Sequence, residues 1–277
     1  MAKNFPTITT EEKNALADRL ASSRKYCQVE IPRETLLDLI DKAAQTHHGL
    51  KEIEEVVRRK LHNLVAPYLG DPDYEALQAL IPTLPQRLDA PEVKEFCLRV
   101  LNAHSSTRER VPINEEFYKR IFALTGIPAV ILDLACALNP FALPWMNLPP
   151  TCQYLAYDLH QPRVQLIEAF LRHFGQAGAA YRQDILVDPP QTQGDVIFFF
   201  KEAHRFEQRE TGSTHKFLDH VQARQILLSL PTESLTGRRS MLEQDRALVA
   251  AACGGKPWQV EELLFPTEIV FCIRKTI

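Results

Sequence analysis

Ala129-Val130-Ile131-Leu132-Asp133-Leu134-Ala135-Cys136-Ala137-Leu138-Asn139-Pro140 is the stretch on which the fold turns. Its first six residues follow Pro128 as a short run that is apolar except for Asp133. A run of that length, apolar on both faces, is the pattern of a strand buried in a parallel sheet. Three more runs of the same kind follow, at Gln153 to Asp158, Asp195 to Phe200 and Ile226 to Leu230. Ala179 to Asp184 lies among them as another strand segment, and Val164 to Phe174 is amphipathic. Strands alternating with helices imply a doubly wound α/β sheet.

Toward the end of the chain, Glu261 to Phe265 and Glu268 to Ile273 flank Pro266-Thr267 as two further strands. So tight a connection makes an antiparallel pair at the sheet edge. A parallel sheet closed by such a hairpin is expected of a Rossmann-like S-adenosylmethionine (SAM) methyltransferase domain. A dinucleotide-binding fold would lack the hairpin. Before residue 128 no strand-like run appears. Thr9-Thr10-Glu11-Glu12 signals a helix start, with Ala15, Leu16 and Leu20 at helical spacing. Pro32 opens a second helix carrying Leu36, Leu37 and Ile40, and Ile53, Val56, Val57, Leu61, Leu64 and Val65 stripe a third. Another helix runs from about Pro91 to Ala103. The expected organisation is an all-helical N-terminal domain over residues 1–104 and the α/β domain over 105–277.

Composition narrows the function. The chain has 277 residues and a net charge of −3, so it does not coat nucleic acid by bulk charge. It has 10 glycines where average usage predicts roughly 19, which weighs against P-loops and GxGxxG cofactor loops. Cys27, Cys97, Cys136, Cys152, Cys253 and Cys272 form no CxxC pair, and His47-His48 cannot face one ion from a helix. No metal is expected, and the cysteines read as reduced. The polar N-terminus and the lack of long apolar stretches predict a cytoplasmic protein that does not cross a membrane.

Ligands of doubly wound sheets sit beyond the carboxyl ends of the strands. Asp133 lies within the first strand, where an unpaired carboxylate is costly. Asp158 ends the second strand at the distance where a ribose hydroxyl pair is held. Asp184 precedes Ile185-Leu186, so it could accept from an adenine amino group while the aliphatics cover the ring. Asp195 begins a strand and reads as a cap. Each acid alone also reads as a cap; together they point to an adenosyl ligand. The loop after the first strand has alanine, Ala135 and Ala137, in both slots where D-x-G-x-G loops carry glycine. By spacing alone it reads equally as a structural turn ended by Pro140.

The string Asp133 to Met146 resembles the cofactor loop of the aminoglycoside-resistance 16S rRNA (guanine-N7) methyltransferases, roughly D-x-G-C-G/A-L-N-P-L/F followed by P-W-M. His104-Ser105-Ser106-Thr107-Arg108-Glu109-Arg110 is similar to that family's H-x-S-T-R-E-R, Val57-Arg58-Arg59-Lys60-Leu61-His62 to its V-R/K-K-L-H, and Ser229 to Arg238 to S-F-P-T-K-S-L-G-G-R. The resemblance implies a helical rRNA-docking domain and a SAM-dependent domain. It implies methylation of guanine 1405 at N7 in the decoding-site helix of the 30S subunit, giving aminoglycoside resistance. In that reading Arg108 holds the cofactor carboxylate. Asp133, Ala135, Ala137 and Asn139 line the site. Asp158 takes the ribose, and Asp184 and Ile185 hold adenine. Lys201, Phe206 and Glu207 position the target base, with Trp145 and Tyr157 as other stacking candidates. Arg58, Arg59, Lys60, Arg238 and Arg239 contact RNA, as Lys119-Arg120, Arg205 and Arg209 could. A monomer is expected.

The sequence departs from the family at Ala135, at Glu233 in place of lysine, after Arg238 and after Lys201. Two other readings accommodate this: a relative methylating another RNA, and a non-catalytic rRNA-binding relative. Guanine N7 carries a lone pair and no proton, so the chemistry needs positioning and no acid–base pair; none is evident.

Overall fold

The computed structural model describes residues 8–24, 26, 29–66, 72–233 and 240–275. Three helices come first: α1 (Thr10–Ala21), α2 (Arg33–Ala44) and α3 (Leu50–Val65). The expected capping box is present: the Thr9 side chain accepts from the Glu12 N–H, and Glu12 accepts from the Thr9 N–H. On α3, Ile53, Val57, Leu61 and Val65 recur every fourth residue and make one buried face. That face joins Leu16, Leu20, Leu36 and Ile40 in a core of its own.

Four more helices precede the sheet: α4 (Tyr74–Leu80), α5 (Pro91–Leu101), α6 (Ser105–Arg108) and α7 (Asn114–Thr125). Val93, Phe96, Cys97 and Val100 of α5 share a second core with Phe117 and Ile121 of α7 and with the sheet residues Ile131, Tyr154 and Phe198. This core joins residues on both sides of the boundary expected at residue 104. The apolar cores part between α3 and α4, because the apolar faces of α4 and α5 are spent on the α/β layer.

The sheet contains β1 (Val130–Leu134), β2 (Gln153–Asp158), β3 (Gly178–Arg182), β4 (Gly194–Phe200), β5 (Ala223–Pro231), β6 (Gln259–Leu264) and β7 (Glu268–Arg274). Their order is β3-β2-β1-β4-β5-β7-β6. β1 to β5 are parallel, and β7 runs antiparallel between β5 and β6. The strands and the hairpin read from the sequence are all present. Between them run α8 (Leu143–Met146), α9 (Gln161–His173), α10 (Ala203–Arg209), α11 (Ser213–His220) and α12 (Leu242–Ala252). Asp195 accepts from the N–H groups of Ala129 and Val130 at 2.9 and 3.0 Å, tying β4 to the start of β1. Gly178 is required where β3 begins, since a Cβ there would lie 2.0 Å from the Tyr154 carbonyl oxygen.

The strand order reverses between β1 and β4. In such sheets the crevice at the carboxyl ends of those two strands is the ligand site.

Candidate cofactor site

Four chain segments converge on that crevice: the loop after β1, Asp158 at the end of β2, Asp184 after β3, and Lys201-Glu202 after β4. The β1 loop is a tight turn pinned to β2. The Cys136 N–H donates to the Tyr157 carbonyl at 2.9 Å, and the Ala137 N–H donates to Asp158 Oδ2 at 3.0 Å. Ala135 and Ala137 have φ of 53° and 48°. Both alanines thus hold the left-handed conformation that glycine adopts without steric cost. The loop backbone is that of a glycine loop with two methyl groups added. Ala135→Gly and Ala137→Gly should accordingly leave stability unchanged or raise it by up to about 1 kcal/mol. An ordinary Ala→Gly change loses about that much. Urea denaturation of the two variants measures this.

Asp158 is buried and accepts three bonds: from Ala137, from the His160 N–H at 2.9 Å, and from Arg163 at 3.1 Å. A carboxylate has about four acceptor positions, so one remains, on Oδ1. Asp184 is also buried and accepts three hydrogen bonds: Oδ1 takes the Leu186 N–H at 3.1 Å and Arg209 Nη1 at 3.0 Å, and Oδ2 takes the Thr35 hydroxyl at 2.8 Å, with the same Arg209 nitrogen 2.7 Å from Oδ2 as an ion pair. Ile185 is buried beside it in the core under the sheet. Burial, with Asp158 and Asp184 nearby, pushes Glu202 up to about 7, while Arg205 and Arg209 oppose the shift. Asp158 keeps an acceptor position for a ligand hydroxyl, and the left-handed loop suits close backbone approach. The residues present fit SAM.

Asp133 and Asn139, expected at the cofactor, are buried and bonded to protein groups. Asn139 Nδ2 donates to Asp133 Oδ2 at 2.9 Å, and the Tyr154 hydroxyl donates to the same oxygen at 2.5 Å. Asn139 Oδ1 accepts from Arg110 at 2.8 Å and from Tyr118 at 2.6 Å. Arg110 makes a two-pronged ion pair with Glu268 of β7, both bonds 2.7 Å, between the rings of Phe117 and Phe200. Arg110 thus fixes the cofactor loop to the far side of the sheet. Sequence reading passed over it for Arg108, although both stand in the same motif. Arg108 is exposed at the end of α6.

Burial pushes Asp133 up to about 7, against the hydrogen bonds from Tyr154 and Asn139. A carboxyl raised above its unfolded value of about 3.9 favours folding most when protonated. Its contribution is complete below pH 4 and is lost as pH rises toward 7. Asp133→Asn keeps the acceptor oxygen and removes the titration. The stability difference between variant and parent should therefore shift in the variant's favour by on the order of 2–3 kcal/mol from pH 5 to pH 7. Thermal denaturation across that range tests it; a constant difference would contradict the assignment.

The residues expected around the target base divide. Lys201, at φ 59°, ends β4 in the crevice and its Nζ donates to Glu109 at 2.6 Å. Glu207 points elsewhere: it accepts from the N–H groups of Gly212 and Thr214, at 2.6 and 2.9 Å, and so caps α11. Phe206 is core, 5.0 Å from the Phe199 ring and 5.1 Å from the Phe217 ring. Tyr157 is buried and stacked on Tyr181, and Trp145 packs half-buried against the sheet core. Unforeseen is a bond of 2.7 Å between His204 Nε2 and the buried Asp245, which joins the segment after β4 to α12.

Among the cations, Arg58 pairs with Glu54 at 2.7 Å while Arg59 is exposed. Arg205 and Arg209 are spent on Glu202, Asp184 and Asp38, and Arg120 lies over the Phe265 ring. Arg238 and Arg239 lie outside the described residues. The described residues contain no cluster of metal-ligating side chains and no helix long and apolar enough to cross a membrane.

The sequence pattern of the family described as ribosomal RNA methyltransferase (FmrO) matches residues 22–272. A 16S rRNA (guanine(1405)-N(7))-methyltransferase of Proteus mirabilis is 31% identical over 206 residues, covering 70% of this chain and 73% of the relative. One of the same name from Micromonospora rosea is 30% identical over 275 residues, covering 97% and 99%. The crystal structure of the 16S rRNA methyltransferase RmtF in complex with S-adenosyl-L-homocysteine aligns with a TM-score of 0.77. It is 24% identical, with 97% of this chain and 100% of that chain covered.

Proposed function

Since the chain belongs to the FmrO family of SAM-dependent ribosomal RNA methyltransferases, we propose that it methylates N7 of the guanine that its relatives' names specify, in the decoding-site helix of 16S rRNA, and so confers aminoglycoside resistance. The observation that carries this is the crevice at the strand reversal. There a loop of glycine-type conformation follows β1, and Asp158, Asp184 and Glu202 stand near one another at the ends of the neighbouring strands. SAM, when bound, supplies an electrophilic methyl group on a sulfonium. The chain's own residues then have to orient two partners. Asp158 offers its remaining acceptor position to a ribose hydroxyl, Asp184 accepts from adenine above Ile185, and exposed Arg108 meets the amino-acid carboxylate. Lys201 stands at the end of β4 beside the base to be methylated. No side chain needs to remove a proton, because N7 has none. The rate arises from alignment and from desolvation of N7.

The target base must leave its stack to reach the crevice. Docking falls to the helical part, where Arg59 and Lys60 of α3 face phosphates. A near-neutral protein that reads a large folded RNA does so by shape with local cations. The test is to incubate purified 30S subunits with the protein and SAM, then map aniline cleavage after borohydride reduction by primer extension. Strand scission at the decoding-site guanine is expected, with high-level kanamycin and gentamicin resistance in an expressing host. Absence of scission there would overturn the N7 assignment.

A further inference from the structure

Asp184 carries a contradiction that the cofactor reading alone does not resolve. Its carboxylate accepts hydrogen bonds from Leu186, Arg209 and Thr35, and the same Arg209 nitrogen also lies 2.7 Å from Oδ2, so both oxygens are already engaged. An adenine amino group that donates to Oδ2 competes with the donors already crowded there. Leu186 is a backbone donor two residues away, held by the turn itself. Arg209 is a charged partner, and such bonds are the strong ones. The Thr35 hydroxyl is the one neutral, side-chain donor, and it comes from another part of the molecule: helix α2, 149 residues away in sequence.

We propose that Thr35 belongs to the adenine side of the cofactor site, where it holds the acceptor position on Asp184 that the adenine amino group takes on binding. The proposal rests on Asp184 being the adenine acceptor. Thr35 is fully buried, so its hydroxyl is a placed donor. When adenine replaces it, α2 keeps its other ties to α10 and the segment after it. Arg209 still bridges Asp184 and Asp38, the latter at 3.1 Å, and Lys42 still pairs with Glu210 at 2.7 Å. The exchange therefore loosens the helical unit at one point. Because coupling is reciprocal, whatever draws Thr35 away from Asp184, including seating of the helical unit on RNA, favours the cofactor.

Thr35→Val tests this. Valine fills the same space and leaves one position on the buried carboxylate empty until adenine arrives. Calorimetry would compare S-adenosylhomocysteine with S-inosylhomocysteine, which lacks the amino group. In the parent the adenosyl compound should bind more tightly. In Thr35→Val it should bind a further 3–10-fold more tightly, the worth of one hydrogen bond, with no gain for the inosyl compound. A parent that does not discriminate between the two overturns Asp184 as the adenine acceptor. A parent that discriminates, with Thr35→Val unchanged or weaker, overturns the role of Thr35 alone. The parent protein gives an independent reading by hydrogen exchange. Amides of α2 should exchange faster with S-adenosylhomocysteine bound, and unchanged or slower exchange overturns the proposal.

Discussion

Arg110→Ala will cost about 3–5 kcal/mol of stability, the largest loss expected of any single substitution discussed. Arg110 and Glu268 are both buried and bonded through two N–H groups, so removing the cation strands a carboxylate in the interior. Burial would raise Glu268, but Arg110 outweighs it and holds the group below the usual carboxylate range. The same substitution takes a donor from Asn139 and a cation from between Phe117 and Phe200. Its damage therefore reaches the turn that carries Ala135 and Ala137. Guanidinium denaturation measures the loss. The double variant Arg110→Met, Glu268→Leu should recover most of it, because apolar pairs replace buried ion pairs at little cost. A loss below about 1 kcal/mol in the single variant would mean that the pair contributes nothing beyond a surface contact.

Asp158→Ala will lower affinity for S-adenosylhomocysteine by roughly 10- to 100-fold, the worth of a hydrogen bond to a charged acceptor. Two effects add. The acceptor for the ribose is gone, and the Ala137 N–H loses the partner that fixes the loop on β2. Arg163 is left buried with Tyr74 as a remaining partner, so part of the effect is on stability. Asp158→Asn separates the two, since its amide keeps one acceptor and most of the packing. Calorimetry on both variants, each checked by circular dichroism, tests the assignment. Unchanged affinity in folded Asp158→Ala would remove Asp158 from the cofactor site.

The central strands were legible because short apolar runs bounded by turn residues fit buried parallel strands. Val196 to Phe199 is apolar at every position, and all four residues are buried. The helical N-terminal part was legible from spacing, as on α3. That α4 and α5 pack on the sheet layer was not. The apolar faces of α4 and α5 look the same whether they pack on other helices or on a sheet.

The sequence marked the candidate acids but not the partners the fold gives them. A carboxylate in a string has no partners; its availability depends on which donors the fold delivers. Glu207 illustrates this, since a charged residue in a matching motif proved to be a helix cap. Phe206 does the same for an aromatic that proved to be core.

The sequence by itself determined the order of strands and helices, the closing hairpin and the family. These follow from periodicity and from local motifs, which are properties of neighbouring residues. Tertiary structure alone decided that Asp133 is buried beside Tyr154, that Asp184 is shared with Thr35, and that Arg110 ties the loop after β1 to Glu268. The partners concerned lie 21, 149 and 158 residues apart along the chain. Contacts at such separations are set by how the layers close, and no local pattern records them.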